Sequence, residues 1–92
     1  MGPLYQLDVK GKAKRKLKRV EPDHIRKEIT LALLELRHNP YPANSELDRE
    51  LFGRYRLKIN GWRAIYKVNE QDKVVTVLTI RPRNRATYLN VP

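Results

Sequence analysis

Between Leu51 and Asn69 the chain carries five cations, Arg54, Arg56, Lys58, Arg63 and Lys67, and no acid. Three of them alternate with Tyr55, Leu57 and Ile59, so a strand here puts the cations on one face and the apolar residues on the other. Three more arginines, Arg81, Arg83 and Arg85, follow in a segment (81–92) that also lacks acids. Nine of the 20 basic residues lie between Lys10 and Lys27. Like charges facing each other in a sheet cost stability, so such a cluster implies a polyanionic partner. Trp62, Tyr55, Tyr66 and Tyr88 lie close by in sequence, and a basic patch with aromatics suits nucleic acid. The alternation makes Tyr55 and Tyr66 core residues rather than stacking platforms. The chain has no cysteine, which excludes disulfides, thiolate metal sites and cysteine nucleophiles. His24 and His38 are read as structural or surface residues. No cofactor and no metal is expected.

These side chains need a scaffold that 92 residues can build. A chain of this size buries only about 60–65% of its unfolded surface, enough for one sheet and a helix or two. With 40% hydrophobic and 33% charged residues and a net charge of +10, it reads as one basic globular domain, 1–92. Residues 1–3 carry no readable signal, and 81–92 form a basic tail. No apolar run reaches the roughly 20 residues that span a bilayer, and the first residues lack a signal-peptide core. A cytoplasmic protein without a membrane partner is expected.

Leu4–Val9 is rich in strand formers and ends at Gly11. From Lys12 to Val20, Ala13, Leu17 and Val20 form a narrow apolar stripe on an otherwise basic helix. Glu21-Pro22-Asp23 breaks and restarts the helix. Ile25, Ile29, Ala32, Leu33 and Leu36 then mark a second helix over 23–38. The stretch from Asn39 to Gly53 reads as a loop, with Leu47, Leu51 and Phe52 anchoring it to the core. Asn60-Gly61 is a two-residue hairpin signal between strands 54–59 and 62–68. Asn69–Asp72 turns the chain into a third strand over 73–80. The expected fold is α+β: an N-terminal strand, a helical hairpin, then a three-stranded antiparallel meander, in the order β-α-α-β-β-β with both helices on one sheet face.

This order, together with Tyr55-Arg56-Leu57-Lys58-Ile59-Asn60-Gly61-Trp62-Arg63-Ala64-Ile65-Tyr66, resembles the RelE/ParE superfamily of toxins from type II toxin–antitoxin systems. The resemblance extends back through Leu47 and the helices, and forward to Arg81-Pro82-Arg83-Asn84-Arg85-Ala86. It implies, for the RelE branch, a metal-independent endoribonuclease that works in the 70S ribosome and cuts messenger RNA. A ribose 2′-hydroxyl would attack the adjacent phosphate, leaving a 2′,3′-cyclic phosphate and a 5′-hydroxyl. Such chemistry needs a base, an acid and cations for the added charge on the phosphorane.

By the same resemblance Arg56, Lys58, Arg63 and Arg83 are the catalytic residues. Lys58 would move the proton, since a lysine crowded by cations can lose one whereas arginine effectively cannot. Arg63 would clamp the phosphate, and Arg83 would stabilise the developing charge or assist the leaving group. Arg81 and Arg85 compete for the role of Arg83. Arg54, Arg81, Arg85, Tyr88, Lys14 and Lys18 would bind RNA, Tyr88 by stacking on a base. With no acid between Glu50 and Glu70, catalysis is expected to rest on lysine and arginine alone. The alternative is the ParE branch, a non-hydrolytic inhibitor of DNA gyrase on the same fold. Either branch implies a cognate antitoxin protein with an acidic, amphipathic binding segment.

Overall fold

A computed structural model describes residues 4–48 and 53–83. The chain runs through β1 (Gln6–Val9), α1 (Gly11–Lys18), α2 (Asp23–Glu35), β2 (Ser45–Asp48), β3 (Arg54–Ile59), β4 (Trp62–Asn69) and β5 (Val74–Pro82). The five strands form one sheet in the order β1-β5-β4-β3-β2. β1 runs parallel to β5, and every other neighbouring pair is antiparallel. This is the expected α+β fold with one strand more than the sequence suggests.

Both helices form because their apolar residues recur on one side. In α1 that side is narrow: Ala13 is fully buried and Leu17 half-buried, with Val20 buried just beyond the helix. Lysine and arginine in its last turn suit the negative end of the helix dipole. In α2, Ile29 and Leu33 are buried, with Leu36 behind them in the turn that ends the helix. Ile25 and Ala32 pack against the same cluster. Together they cover Leu57, Ile59, Ala64, Tyr66, Val75, Val77 and Ile80 on one sheet face. Burying side chains of this size contributes roughly 1.5–3 kcal/mol each before chain entropy is subtracted. Tyr66 is wholly buried and its hydroxyl donates to the Pro40 carbonyl at 2.7 Å. Its ring stacks on Tyr55 with centroids 5.6 Å apart, so both tyrosines belong to the core side, as expected.

At the β3–β4 turn Asn60 and Gly61 both have positive φ, 41° and 82°. That is the backbone a tight two-residue hairpin demands. It fixes the register Ile59 to Trp62 and Lys58 to Arg63. The pairing of β4 with β5 is regular except at one point. Ile65 pairs with Thr79 but Tyr66 pairs with Val77, leaving Leu78 as an extra residue in β5. Val77 and Ile80 are three positions apart yet sit in the same core cluster on one sheet face, which a regular strand forbids. The bulge resets the alternation, so Arg81 emerges on the face opposite the core.

Two expectations for residues 39–53 need correction. Ser45–Asp48 is a strand on the sheet edge rather than loop, paired with Arg54–Leu57. Leu47 does not anchor to the core; it is 56% exposed, because the edge strand lies beyond the area the helices cover. Leu51 and Phe52 lie outside the described residues. The second helix also stops three residues short of His38, in a turn over 36–38.

Candidate functional site

Three cations stand in a row across the middle of the sheet. Lys58 on β3 is directly opposite Arg63 on β4, and Arg63 is directly opposite Arg81 on β5. Cross-strand neighbours have Cβ atoms about 5 Å apart, so this is a line of positive charge perpendicular to the strands. Arg83 joins them at the hairpin end, where its amide donates to the Gly61 carbonyl at 2.7 Å. Lys58, Gly61, Trp62, Arg63 and Arg83 line a hollow of about 150 Å³. Three cationic side chains and an indole around so small a space suit a single phosphate group and its sugar. Lys58 is held from the other side by Asn44, which accepts from the Lys58 amide at 3.0 Å and donates its side-chain amide to the Lys58 carbonyl at 2.8 Å.

The cations do have an acid beside them. Glu46, on the edge strand, is the cross-strand partner of Arg56 and lies 3.1 Å from its guanidinium and 3.5 Å from the Lys58 ammonium. The expectation that the site contains only lysine and arginine is therefore corrected. It failed because Glu46 reaches the site through pairing with a strand that the sequence does not announce. Arg56 thus points at a carboxylate, while Lys58 bridges that carboxylate and the hollow. Arg54 lies on the same strand face as Lys58 but four residues away, about 13 Å along the strand.

The remaining expected contacts are dispersed. On a helical wheel at 100° per residue, Lys14 and Lys18 lie about 150° and 110° round from the centre of the face that Lys12, Arg15, Lys16 and Arg19 share. Lys18 lines a separate, apolar groove with Leu17, Arg26 and Leu31 between the two helices. His24 and His38 are exposed. Arg85 and Tyr88 lie outside the described residues. Among the described residues there is no group of three or more His, Cys, Asp or Glu able to hold a metal, and no helix long and apolar enough to cross a membrane.

A second polar cluster sits at the opposite end of β4. Glu70, in the β4–β5 turn, accepts hydrogen bonds from the hydroxyls of Tyr5 and Tyr41 and from the Lys73 ammonium. These donors, the tyrosines first, hold its carboxyl down at about 2. Sharing a proton with that carboxylate pushes the Tyr5 hydroxyl up. Loss of solvation, then the same hydrogen bond, pushes Tyr41 up. The cluster joins the start of β1, the 39–44 loop and the β4–β5 turn, far from the cationic row, and acts as a structural latch.

The family model for the ParE toxin of type II toxin–antitoxin systems matches residues 7–87. No curated protein matches the chain. Among solved structures, the archaeal RelE–RelB complex from Pyrococcus horikoshii is similar over 89% of this chain and 98% of that one, with 23% identity and a TM-score of 0.78. The RelBE2 toxin–antitoxin complex from Mycobacterium tuberculosis is similar over 87% and 99%, at 22% identity and a TM-score of 0.75. The intact RelBE complex from E. coli is similar over 88% and 99%, at 26% identity and a TM-score of 0.73. With the family model covering nearly the whole described fold, the chain belongs to the RelE/ParE superfamily of toxins from type II toxin–antitoxin systems.

Proposed function

We propose that this toxin is an endoribonuclease that cleaves messenger RNA on the ribosome and so inhibits translation. The observation that carries the reading is the convergence of Lys58, Arg63 and Arg83 on one phosphate-sized hollow beside Trp62. The scissile phosphate sits in that hollow. The ribose 2′-hydroxyl gives up its proton to the Glu46 carboxylate, or to Lys58 in its neutral amine form, and attacks the phosphorus. The bond to the 5′-oxygen breaks, that oxygen takes a proton back from the group that accepted it or from water, and a 2′,3′-cyclic phosphate and a 5′-hydroxyl result. Arg63 and Arg83 are placed to stabilise the extra negative charge that appears only in the pentacovalent state. Arg56, tied to Glu46, positions that acid and braces Lys58. Without further groups, the site depends on the ribosome to hold the attacking and leaving oxygens in line, which is worth several kcal/mol of barrier. The cognate antitoxin, by likeness to the RelE–RelB complexes, neutralises it.

A second reading is favoured by the family model, which is that of ParE toxins. In it the same cations meet a protein, DNA gyrase, and no bond is cleaved. Primer extension on messenger RNA from a purified translation reaction, run beside a gyrase supercoiling assay, separates the two. Discrete cuts at codons in the ribosome support the nuclease. Intact messenger with inhibited supercoiling replaces it with the ParE-like reading.

A further inference from the structure

The row of cations does not end at Arg81. Beyond the last β1–β5 pair, Val9 with Val77, no strand among the described residues covers the edge of β5, and α1 lies alongside it. Between them is a second hollow of about 400 Å³, lined by Lys12, Arg15, Lys16 and Arg19 from the helix and by Thr79 and Arg81 from the strand. The four helical cations fall within about 100° of one another on the wheel, so they form one face, flanked by the stripe that buries Ala13. Among the described residues none of these five cations forms an ion pair. Helix α1 contains no acid at all. Five positive charges gathered round one concavity, without a carboxylate to relieve them, are destabilising to the isolated fold and favourable only to an anion.

We propose that this hollow is a second phosphate subsite, occupied by the RNA backbone of the same strand whose phosphate lies at Lys58, Arg63 and Arg83. Arg81 borders the second hollow, Arg63 borders the first, and the two arginines are direct cross-strand neighbours. The two sites are therefore adjacent along a single cationic track, close enough for nearby phosphates of one chain to fill both. Larger, and with no aromatic side chain in its described lining, the second hollow holds backbone rather than a base, so it contributes affinity and register but no sequence preference. The inference rests on the ribonuclease reading and deepens it: it says which way the substrate leaves the cleavage site, across β4 and β5 toward α1.

The test uses the full chain and 2′-O-methyl RNA, which cannot be cleaved, in lengths of two and six nucleotides. Binding is followed by fluorescence anisotropy over a salt series. Lys16→Gln/Arg19→Gln is compared with Arg26→Gln/Lys27→Gln, which removes the same charge from α2. All four side chains lie at the surface or near it, and a thermal melt verifies folding. The expected result has three parts. The α1 variant binds the dinucleotide like the parent. It loses about tenfold on the hexanucleotide, and its salt slope falls by about 1.4, that of two lost phosphate contacts on a single strand. The α2 variant loses less than twofold on either length. Equal losses from both variants, or an α1 variant that binds the hexanucleotide like the parent, overturn the subsite while leaving the nuclease reading intact. A parent chain that binds neither RNA overturns the subsite as well, while the nuclease reading is decided separately by primer extension in the translation reaction.

Discussion

Arg63 and Arg81 face each other across β4 and β5, and among the described residues neither forms an ion pair with an acid. Two cations in directly opposed positions cost a sheet on the order of 0.2–1 kcal/mol relative to a neutral pair. The pairing exists only because the Leu78 bulge turns Arg81 outward. Replacing Arg81 by threonine, a good strand former, is therefore expected to raise the melting stability by that amount while weakening RNA binding. Denaturant melts and RNA titrations on the same preparation check it. A variant that is both less stable and equally good at binding contradicts the assignment.

Arg63→Ala and Arg83→Ala address the chemical step. Both side chains line the hollow proposed to hold the phosphate, and neither is buried in the core. Each is expected to lower messenger cleavage by roughly 10²–10³-fold, the cost of removing one donor from developing negative charge. Circular dichroism should be unchanged. Single-turnover cleavage on stalled ribosomes reads this directly, and parent-like rates in both variants remove the site.

Most of the fold was legible in the sequence because its elements are locally determined. Asn60-Gly61 can hardly be anything but a hairpin, and the spacing of Ile25, Ile29, Ala32, Leu33 and Leu36 requires a helix. What stayed hidden is non-local. Ser45–Asp48 shows no alternation that burial would impose, since its only apolar member, Leu47, faces solvent. The strand exists because β3 pairs with it. Glu46 was missed for the same reason: its place beside Lys58 is a fact of register. The roles of Arg81 and Arg83 could not be separated from sequence either, because the register that sets Arg81 opposite Arg63 depends on one bulged residue. The division of the α1 cations into two faces, by contrast, follows from 100° per residue alone.

Leu33→Ala tests the helix face. Leu33 is only 2% exposed and sits in the cluster that joins α2 to the sheet. Its truncation leaves a cavity that the sheet cannot collapse into, at about 2–5 kcal/mol. The expected result is a large fall in unfolding free energy with cleavage retained at temperatures where the variant stays folded. A melt indistinguishable from the parent's refutes the packing.

Glu46→Gln distinguishes bracing from proton transfer. The amide keeps a hydrogen-bond acceptor for Arg56 and removes a negative charge next to the RNA, so binding is expected to hold or tighten. If Glu46 only orients its neighbours, cleavage drops less than tenfold while Lys58→Ala drops it a hundredfold or more. Equal losses in the two variants transfer the base role to the carboxylate. Separate measurements of RNA affinity and single-turnover rate give the two quantities.

Glu70 sets the acid limit of the fold. Hydrogen bonds from Tyr41, Tyr5 and Lys73 hold its carboxyl at about 2, below the ordinary value of 4.5. A carboxyl depressed on folding gives stability that is fully present above its unfolded value and is lost as pH falls toward its folded one. The parent is thus expected to lose stability between about pH 5 and pH 2 faster than Glu70→Gln. The two melting curves, apart at neutral pH, should converge near the acid end, where a protonated Glu70 resembles glutamine. The alkaline limb has the opposite sign. The Tyr5 hydroxyl is raised by the same contact, so its contribution is fully present below the ordinary tyrosine value and is lost as pH rises from there through the raised one. Thermal melts of both proteins at steps across the acid range decide the matter: parallel curves, with a constant gap down to pH 2, mean that the latch does not bind the ionised carboxylate.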